Sequence, residues 1–161
     1  MAKNSETKTN AMRILERNKV PYEVVNADIG EFKDGITAAD LEGMPHEETF
    51  KTLVAEGKTR QYYVYVIPIE DELDLKKAAR AAGEKSVALI HVKDITAVTG
   101  YVRGGCSPIG MKKDYRTFID RKAEGLAKIY VSGGRIGTSV RVTLPDLIKV
   151  CRGTLAELTV D

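Results

Sequence analysis

The chain of 161 residues has no tryptophan, two cysteines (Cys106 and Cys151), two histidines (His46 and His91) and five prolines. Two cysteines are too few for a disulfide framework. With no CxxC and no His–Cys cluster, the sequence offers no zinc site, and no metal or other cofactor is expected. Reduced thiols fit a cytoplasmic protein. No apolar run approaches the ~20 residues of a membrane span, so no membrane partner is expected. The stretch Met1–Asn10 is polar and lacks the apolar region of a secretory signal. Residues 1–8 are expected to form a frayed tail leading into a helix.

What is present fits a soluble globular protein, with 43% hydrophobic and 30% charged residues. The length suits one domain over residues 1–161, large enough to bury a sizeable core. The charge is nearly balanced overall but not along the chain. Residues 26–74 carry a balance of −8, and residues 100–141 one of +6. The basic segment contains a glycine-rich run, Gly100-Tyr101-Val102-Arg103-Gly104-Gly105-Cys106-Ser107-Pro108-Ile109-Gly110, with an echo at Ser132-Gly133-Gly134-Arg135. Glycine permits positive φ and close approach of backbone to a ligand. Successive N–H groups can cradle an anion or a polarised carbonyl. Glycine pairs also make ordinary turns, and clustered charge also makes a solvated face. A basic face beside a small pocket suits a substrate with a phosphate backbone joined to a small reacting group.

The spacing predicts an amphipathic helix over 9–18, a strand at Tyr22–Val25, a mobile polar loop over 28–35 and a short helix from Thr37 to Leu41. Strands are expected at Phe50–Ala55 and Gln61–Ile69, the latter rich in β-favouring residues. The clearest helix is Leu75–Ala82, between Asp74 as N-cap and Gly83 after its end. Its expected buried face is Leu75, Ala78, Ala79 and Ala82. Further along come a strand at Val87–Ile90, a helix at Val92–Thr99, and strands at Phe118–Ile119, Ile129–Ser132 and Val140–Thr143. Thr143 and Asp146 resemble a capping box opening a helix through Val150, and Leu155–Leu158 is an edge-strand candidate. Short strands among helices without regular βαβ alternation point to an α+β fold: a mixed, partly closed, β-barrel-like sheet flanked by helices.

Four motifs carry a resemblance: Phe50-Lys51-Thr52-Leu53, Glu72-Leu73-Asp74-Leu75-Lys76, Thr99-Gly100-Tyr101 through Gly110-Met111-Lys112-Lys113, and Ile129-Tyr130-Val131-Ser132-Gly133-Gly134-Arg135. Their order and spacing resemble those of the YbaK/EbsC family of aminoacyl-tRNA deacylases, relatives of the editing domain of prolyl-tRNA synthetases. The resemblance covers about residues 9 to 158 and agrees with the fold expected from the elements. It implies a trans-editing hydrolase that removes cysteine from mischarged tRNA(Pro), with tRNA and prolyl-tRNA synthetase as partners. Cysteine and proline have similar volumes, and packing discriminates poorly between near-isosteres, so a second site must edit.

The chain offers no Ser-His-Asp triad, because nothing places either histidine beside a nucleophile. In the resembling family the substrate's own thiol attacks its ester carbonyl, and the protein positions the ester and stabilises the oxyanion. The resemblance implies Lys51, Gly104 and Gly105 as the catalytic set, with Lys51 holding the carbonyl, ribose or phosphate and the glycines giving backbone donors. It implies Tyr22 and Tyr101 as pocket tyrosines, Thr52 beside Lys51, Ser107 fixing the turn, and Ser132 and Arg135 holding the 3′-terminal nucleotide. Some family members carry an acid at the position of Ser139, where it can bind the substrate's amino group; a serine there puts the amino-acid preference in question. Cys106 is expected to pack rather than react. His46 and His91 are expected to serve loops and caps. Two alternatives stay open: deacylation of another small amino acid such as alanine on tRNA(Pro), and a non-catalytic module that binds tRNA or a synthetase.

Overall fold

The residues with the strongest β preference lie at the centre of the molecule. The computed structural model describes residues 7–30 and 32–161; the expected tail at residues 1–8 falls mostly outside them. Strands β2 (Phe50–Gly57) and β3 (Tyr62–Pro68) form an antiparallel hairpin, with Lys51 opposite Ile67 and Thr52 opposite Val66. β3 is buried along nearly its whole length, so both of its faces are covered. It pairs in parallel with β5 (Arg116–Asp120), and β5 in parallel with β8 (Gly153–Ala156). A short β4 (Val87–Leu89) completes the order β4-β2-β3-β5-β8. A second sheet has the order β1-β7-β6, from β1 (Glu23–Asn26), β7 (Thr138–Val142) and β6 (Ile129–Arg135). A parallel bridge between Thr49 and Tyr130 ties the two sheets together. The strands are thus shared between a mixed sheet and an antiparallel one, and barrel closure is not among the pairings of the described residues.

Helix α1 (Asn10–Arg17) is capped by the Thr9 hydroxyl, which accepts from the Met12 N–H. It buries Ala11, Met12 and Leu15 against Ile129, Val131 and Val140 of the antiparallel sheet. α2 (Gly35–Glu42) starts at Asp34, whose carboxylate accepts from the Thr37 N–H at 2.7 Å, and stops at Gly43 with φ +73°. α3 (Leu75–Ala82) has the expected caps: Asp74 accepts from Lys76 and Lys77, and Gly83 takes φ +75°. Its buried face is Ala78, Ala79 and Ala82, whereas Leu75 is exposed, so the expected apolar stripe is one residue shorter. The small alanines let α3 lie close on the mixed sheet, where the buried Tyr65 hydroxyl donates to the Ala78 carbonyl at 2.9 Å. A 3₁₀ turn over Val92–Asp94 leads into the five-residue α4 (Ile95–Thr99), so the expected single helix is divided. α5 (Leu144–Cys151) opens on Thr143, which accepts from the Asp146 N–H as its spacing predicts.

The buried carboxylate of Asp120 joins distant parts of the chain. One oxygen accepts from the Lys122 N–H and the other from the buried Leu158 N–H, both at 3.0 Å. Asp120→Ala orphans the Leu158 donor and is expected to cost about 1–3 kcal/mol, a fall in Tm of roughly 2–12 °C. Asp120→Asn keeps one acceptor and should lose less. Equal melting curves for all three proteins would show that the amide finds another partner.

His46 braces α2. Its Nε2 lies 2.7 Å from Asp40 of the helix, and its Nδ1 lies 2.9 Å from Glu70 beyond β3. The Glu70 contact, then the Asp40 contact, raises the His46 pKa above the usual 6.5. A raised pKa in the folded state means that protonation favours folding. The clamp therefore contributes fully below the ordinary histidine pKa and is lost as pH rises through the raised value. The Tm gap between wild type and His46→Ala should be widest near about pH 5.5 and shrink toward about pH 8.5. A gap independent of pH would refute a charged clamp.

Candidate functional site

The β2 start, α2, the first glycine run and the β6–β7 hairpin surround a cavity of about 470 Å³. Much of its wall is apolar, including Ile69, Leu89 and Ile90. Of the residues expected from sequence, Lys51, Thr52, Gly104, Ser132 and Ser139 line it. Tyr22, Tyr101, Gly105, Ser107 and Arg135 do not.

Lys51 is half-buried on β2, and no described side chain pairs with its ammonium. Burial pushes its pKa below the usual lysine range, while Asp71 and Glu72 pull it part of the way back. A partly desolvated cation of this kind is stabilised by an electron-rich group entering the cavity. Its neighbour Thr52 has a buried hydroxyl oxygen with no hydrogen-bond partner among the described residues.

In the first glycine run, Gly104 has φ +85°, and its N–H finds no acceptor among the described residues. The Gly105 N–H is already used: it donates to the Val102 carbonyl at 2.9 Å. Of the two expected backbone donors, Gly104 is therefore the one left available. Phe32 lies over Gly104, at van der Waals contact or closer to where a Cβ would stand. The Arg103 guanidinium stacks 5.1 Å from the Phe32 ring centroid. Arg103 and Phe32 thus form one rim of the cavity.

The expected residues that lie off the cavity are engaged elsewhere in the fold. Tyr101 is buried and donates to the Ile109 carbonyl at 2.5 Å, with its phenol pushed up to about 12 by burial. Ser107 is fully buried and accepts from the Ile109 N–H at 3.2 Å, which fixes the turn. Tyr22 donates to Glu16 at 2.6 Å, and burial with that contact pushes it up to about 12. Arg135 reaches the Thr7 carbonyl at 3.0 Å and the Thr138 hydroxyl at 3.4 Å. The second glycine segment is not a free loop: it ends β6, with a bulge between Ser132 and Arg135 against β7.

Cys106 also lines the cavity, where burial pushes its thiol up to about 11 and the Thr99 hydroxyl partly opposes the shift. A thiol so raised stays neutral near pH 7 and is a poor nucleophile. Sequence reasoning missed Glu42, which lines the cavity from the end of α2. Burial raises its pKa, and the Ser139 hydroxyl partly offsets this. One signal was legible: an acid in the last turn of a helix opposes the helix dipole.

Much of the basic segment is committed within the fold. Arg116 donates to the Ala82 carbonyl and stacks on Phe118, Lys122 pairs with Asp71, and Arg141 pairs with Glu23 and Glu48. A second, more polar groove of about 370 Å³ includes Arg17, Lys113, Lys149 and Arg152 in its wall.

The sequence profile of the aminoacyl-tRNA editing domain matches residues 32–150. A protein of Enterococcus faecalis, provisionally named Cys-tRNA(Pro)/Cys-tRNA(Cys) deacylase EbsC, is 41% identical over 160 residues, covering 98% of this chain and 96% of that one. A proline–tRNA ligase of Brachyspira hyodysenteriae is 29% identical over 86 residues, 52% of this chain and 15% of the ligase. A crystal structure provisionally described as a trans-editing enzyme for prolyl-tRNA synthetase superposes with a TM-score of 0.81 at 22% identity, covering 97% of this chain and all of that one. The chain belongs to the aminoacyl-tRNA editing-domain family.

Proposed function

We propose that this protein is a deacylase that releases cysteine from mischarged Cys-tRNA(Pro) by means of the substrate's own thiol. The observation that carries the reading is that one cavity is lined both by the partly desolvated Lys51 ammonium and by Gly104, whose N–H, like that ammonium, has no partner among the described residues. The identity to a relative named for this activity supports it.

In this mechanism the substrate sulfur bonds to the ester carbonyl carbon and the carbonyl oxygen becomes an oxyanion. The Lys51 ammonium and the Gly104 N–H stabilise that charge, and one preorganised donor is worth on the order of 3 kcal/mol. Collapse breaks the bond to the ribose oxygen. The proton lost by the thiol ends on that oxygen, which frees the tRNA and a cyclic thiolactone. Water then opens the thiolactone to cysteine. No protein nucleophile is required, in keeping with a neutral Cys106.

The tRNA body carries the charge that Arg17, Lys113 and Lys149 of the second groove can meet, while Arg152 there lies 3.7 Å from Asp114. So small a basic surface implies weak binding that falls with salt. Ser132 and Thr52 are assigned to the terminal nucleotide and ester. Prolyl-tRNA synthetase is the assigned protein partner.

Amino-acid release from Cys-tRNA(Pro) and Ala-tRNA(Pro), with wild type and Lys51→Ala side by side, tests the reading. Release of cysteine alone is expected, with Lys51→Ala slower by about 100-fold or more. Release of alanine would demand an attacking water. No release, even with prolyl-tRNA synthetase added, would favour a tRNA-binding module.

Cys106→Ala separates substrate-thiol from protein-thiol chemistry. Its cysteine release is expected within about threefold of wild type, and wild-type Cys106 should alkylate slowly at neutral pH. Loss of activity on the scale of Lys51→Ala would make Cys106 the nucleophile.

A further inference from the structure

The cavity contains a charge that the deacylation chemistry does not use. Glu42 Oε1 is shielded from solvent and has no hydrogen-bond partner among the described residues. The Ser139 hydroxyl on β7 sits beside the same carboxylate and favours its ionised form. No ion pair among the described residues neutralises Glu42. A half-hidden carboxylate with an unmet oxygen costs free energy until a donor or cation arrives. Its place in the last turn of α2 adds an unfavourable helix dipole. The fold gains nothing evident from this charge, which is the pattern expected of a binding group.

Lys51 does not meet this need. The charges that act on its ammonium come from Asp71 and Glu72, and the group that acts on Glu42 is Ser139. One cavity therefore presents a cation and an anion that leave each other unneutralised. An aminoacyl ester is the complement: an electron-rich carbonyl and, one carbon away, an α-ammonium. We propose that Glu42, oriented by Ser139, binds the α-ammonium group of the substrate and makes the site selective for a free amine. The proposal rests on the deacylase reading and assigns its amino-group recognition.

The test compares Cys-tRNA(Pro) with N-acetyl-Cys-tRNA(Pro), in which the amine has lost its charge. Wild type is expected to release the free-amine substrate about 10- to 100-fold faster than the acetylated one. Glu42→Gln should be slowed by a similar factor on the free amine and little changed on the acetylated substrate. Because Gln removes a desolvated charge, its Tm should equal or exceed that of wild type, which separates recognition from misfolding. The double variant Glu42→Gln/Ser139→Asp returns a carboxylate from the neighbouring strand and should recover much of the discrimination.

Binding of 3′-cysteinylamino-3′-deoxyadenosine, an amide that is not hydrolysed, and of its N-acetyl form separates this proposal from the deacylase reading. Amine-dependent binding lost in Glu42→Gln, with no release from either tRNA, would keep Glu42 and overturn the activity. Release and binding indifferent to acetylation, or reduced equally for both substrates in Glu42→Gln, would overturn Glu42 and keep the activity. Neither binding nor release would overturn both.

Discussion

The cavity depends on two backbones that approach more closely than side chains permit. A Cβ at Gly105 would lie 2.9 Å from the carbonyl carbon of Arg135 and the nitrogen of Ile136, inside van der Waals contact. That contact presses the first glycine run against the β6–β7 hairpin. Tyr101 fills the space beside it, with its ring 2.9 Å from where a Cβ at Gly134 would stand. The start of α1 fastens both segments: the Thr9 hydroxyl donates to the Gly133 carbonyl, and the Asn10 amide donates to the Gly110 carbonyl at 2.8 Å. The glycines at 105 and 134 thus serve packing, and the available N–H of Gly104 is a product of the frame they build.

The same frame redistributes the charge seen along the sequence. The basic segment suggests a continuous cationic face, yet Arg116, Lys122 and Arg141 are bound to carbonyls, rings and carboxylates of the fold. The acidic segment is similarly employed, since Asp34 and Asp74 cap helices and Asp40 and Glu70 hold His46. After this internal pairing, Lys51 and Glu42 remain as half-buried charges of opposite sign in one cavity. Linear charge counts cannot reveal them, because a count does not know which charges cancel in space.

Local rules were legible where they acted locally. Asp74 and Gly83 bracket α3 in the sequence as they do in the fold, and Thr143 caps α5 as its spacing requires. β3 was legible because aromatic and β-branched residues have few other stable placements. The failures were tertiary. Leu75 fits a helical stripe but is exposed, because alanines alone allow α3 to sit close on the sheet. The predicted strand stops at Ser132, and only pairing with β7 carries it on through the second glycine segment as a bulged strand to Arg135. Ser139 suggests a site without its acid. The end of α2, nearly a hundred residues earlier, brings Glu42 to that place, and no local pattern encodes this meeting.

On the deacylase reading, the lack of a role for a protein nucleophile follows from the discrimination problem itself. A largely apolar wall distinguishes neighbouring small amino acids by about 1–3 kcal/mol per methylene, which is weak for proofreading. A reactive protein nucleophile would turn every ester that fits the cavity into product, so volume would set the specificity. On the deacylase reading the nucleophile belongs to the substrate, and a side chain without a thiol can occupy the cavity without being cleaved. The protein then needs a cation and a donor for the oxyanion, a carboxylate for the amine, and no acid–base machinery strong enough to activate water. The neutral Cys106, and a Lys51 unpaired among the described residues, are consistent with that division of labour, in which chemistry selects what packing cannot.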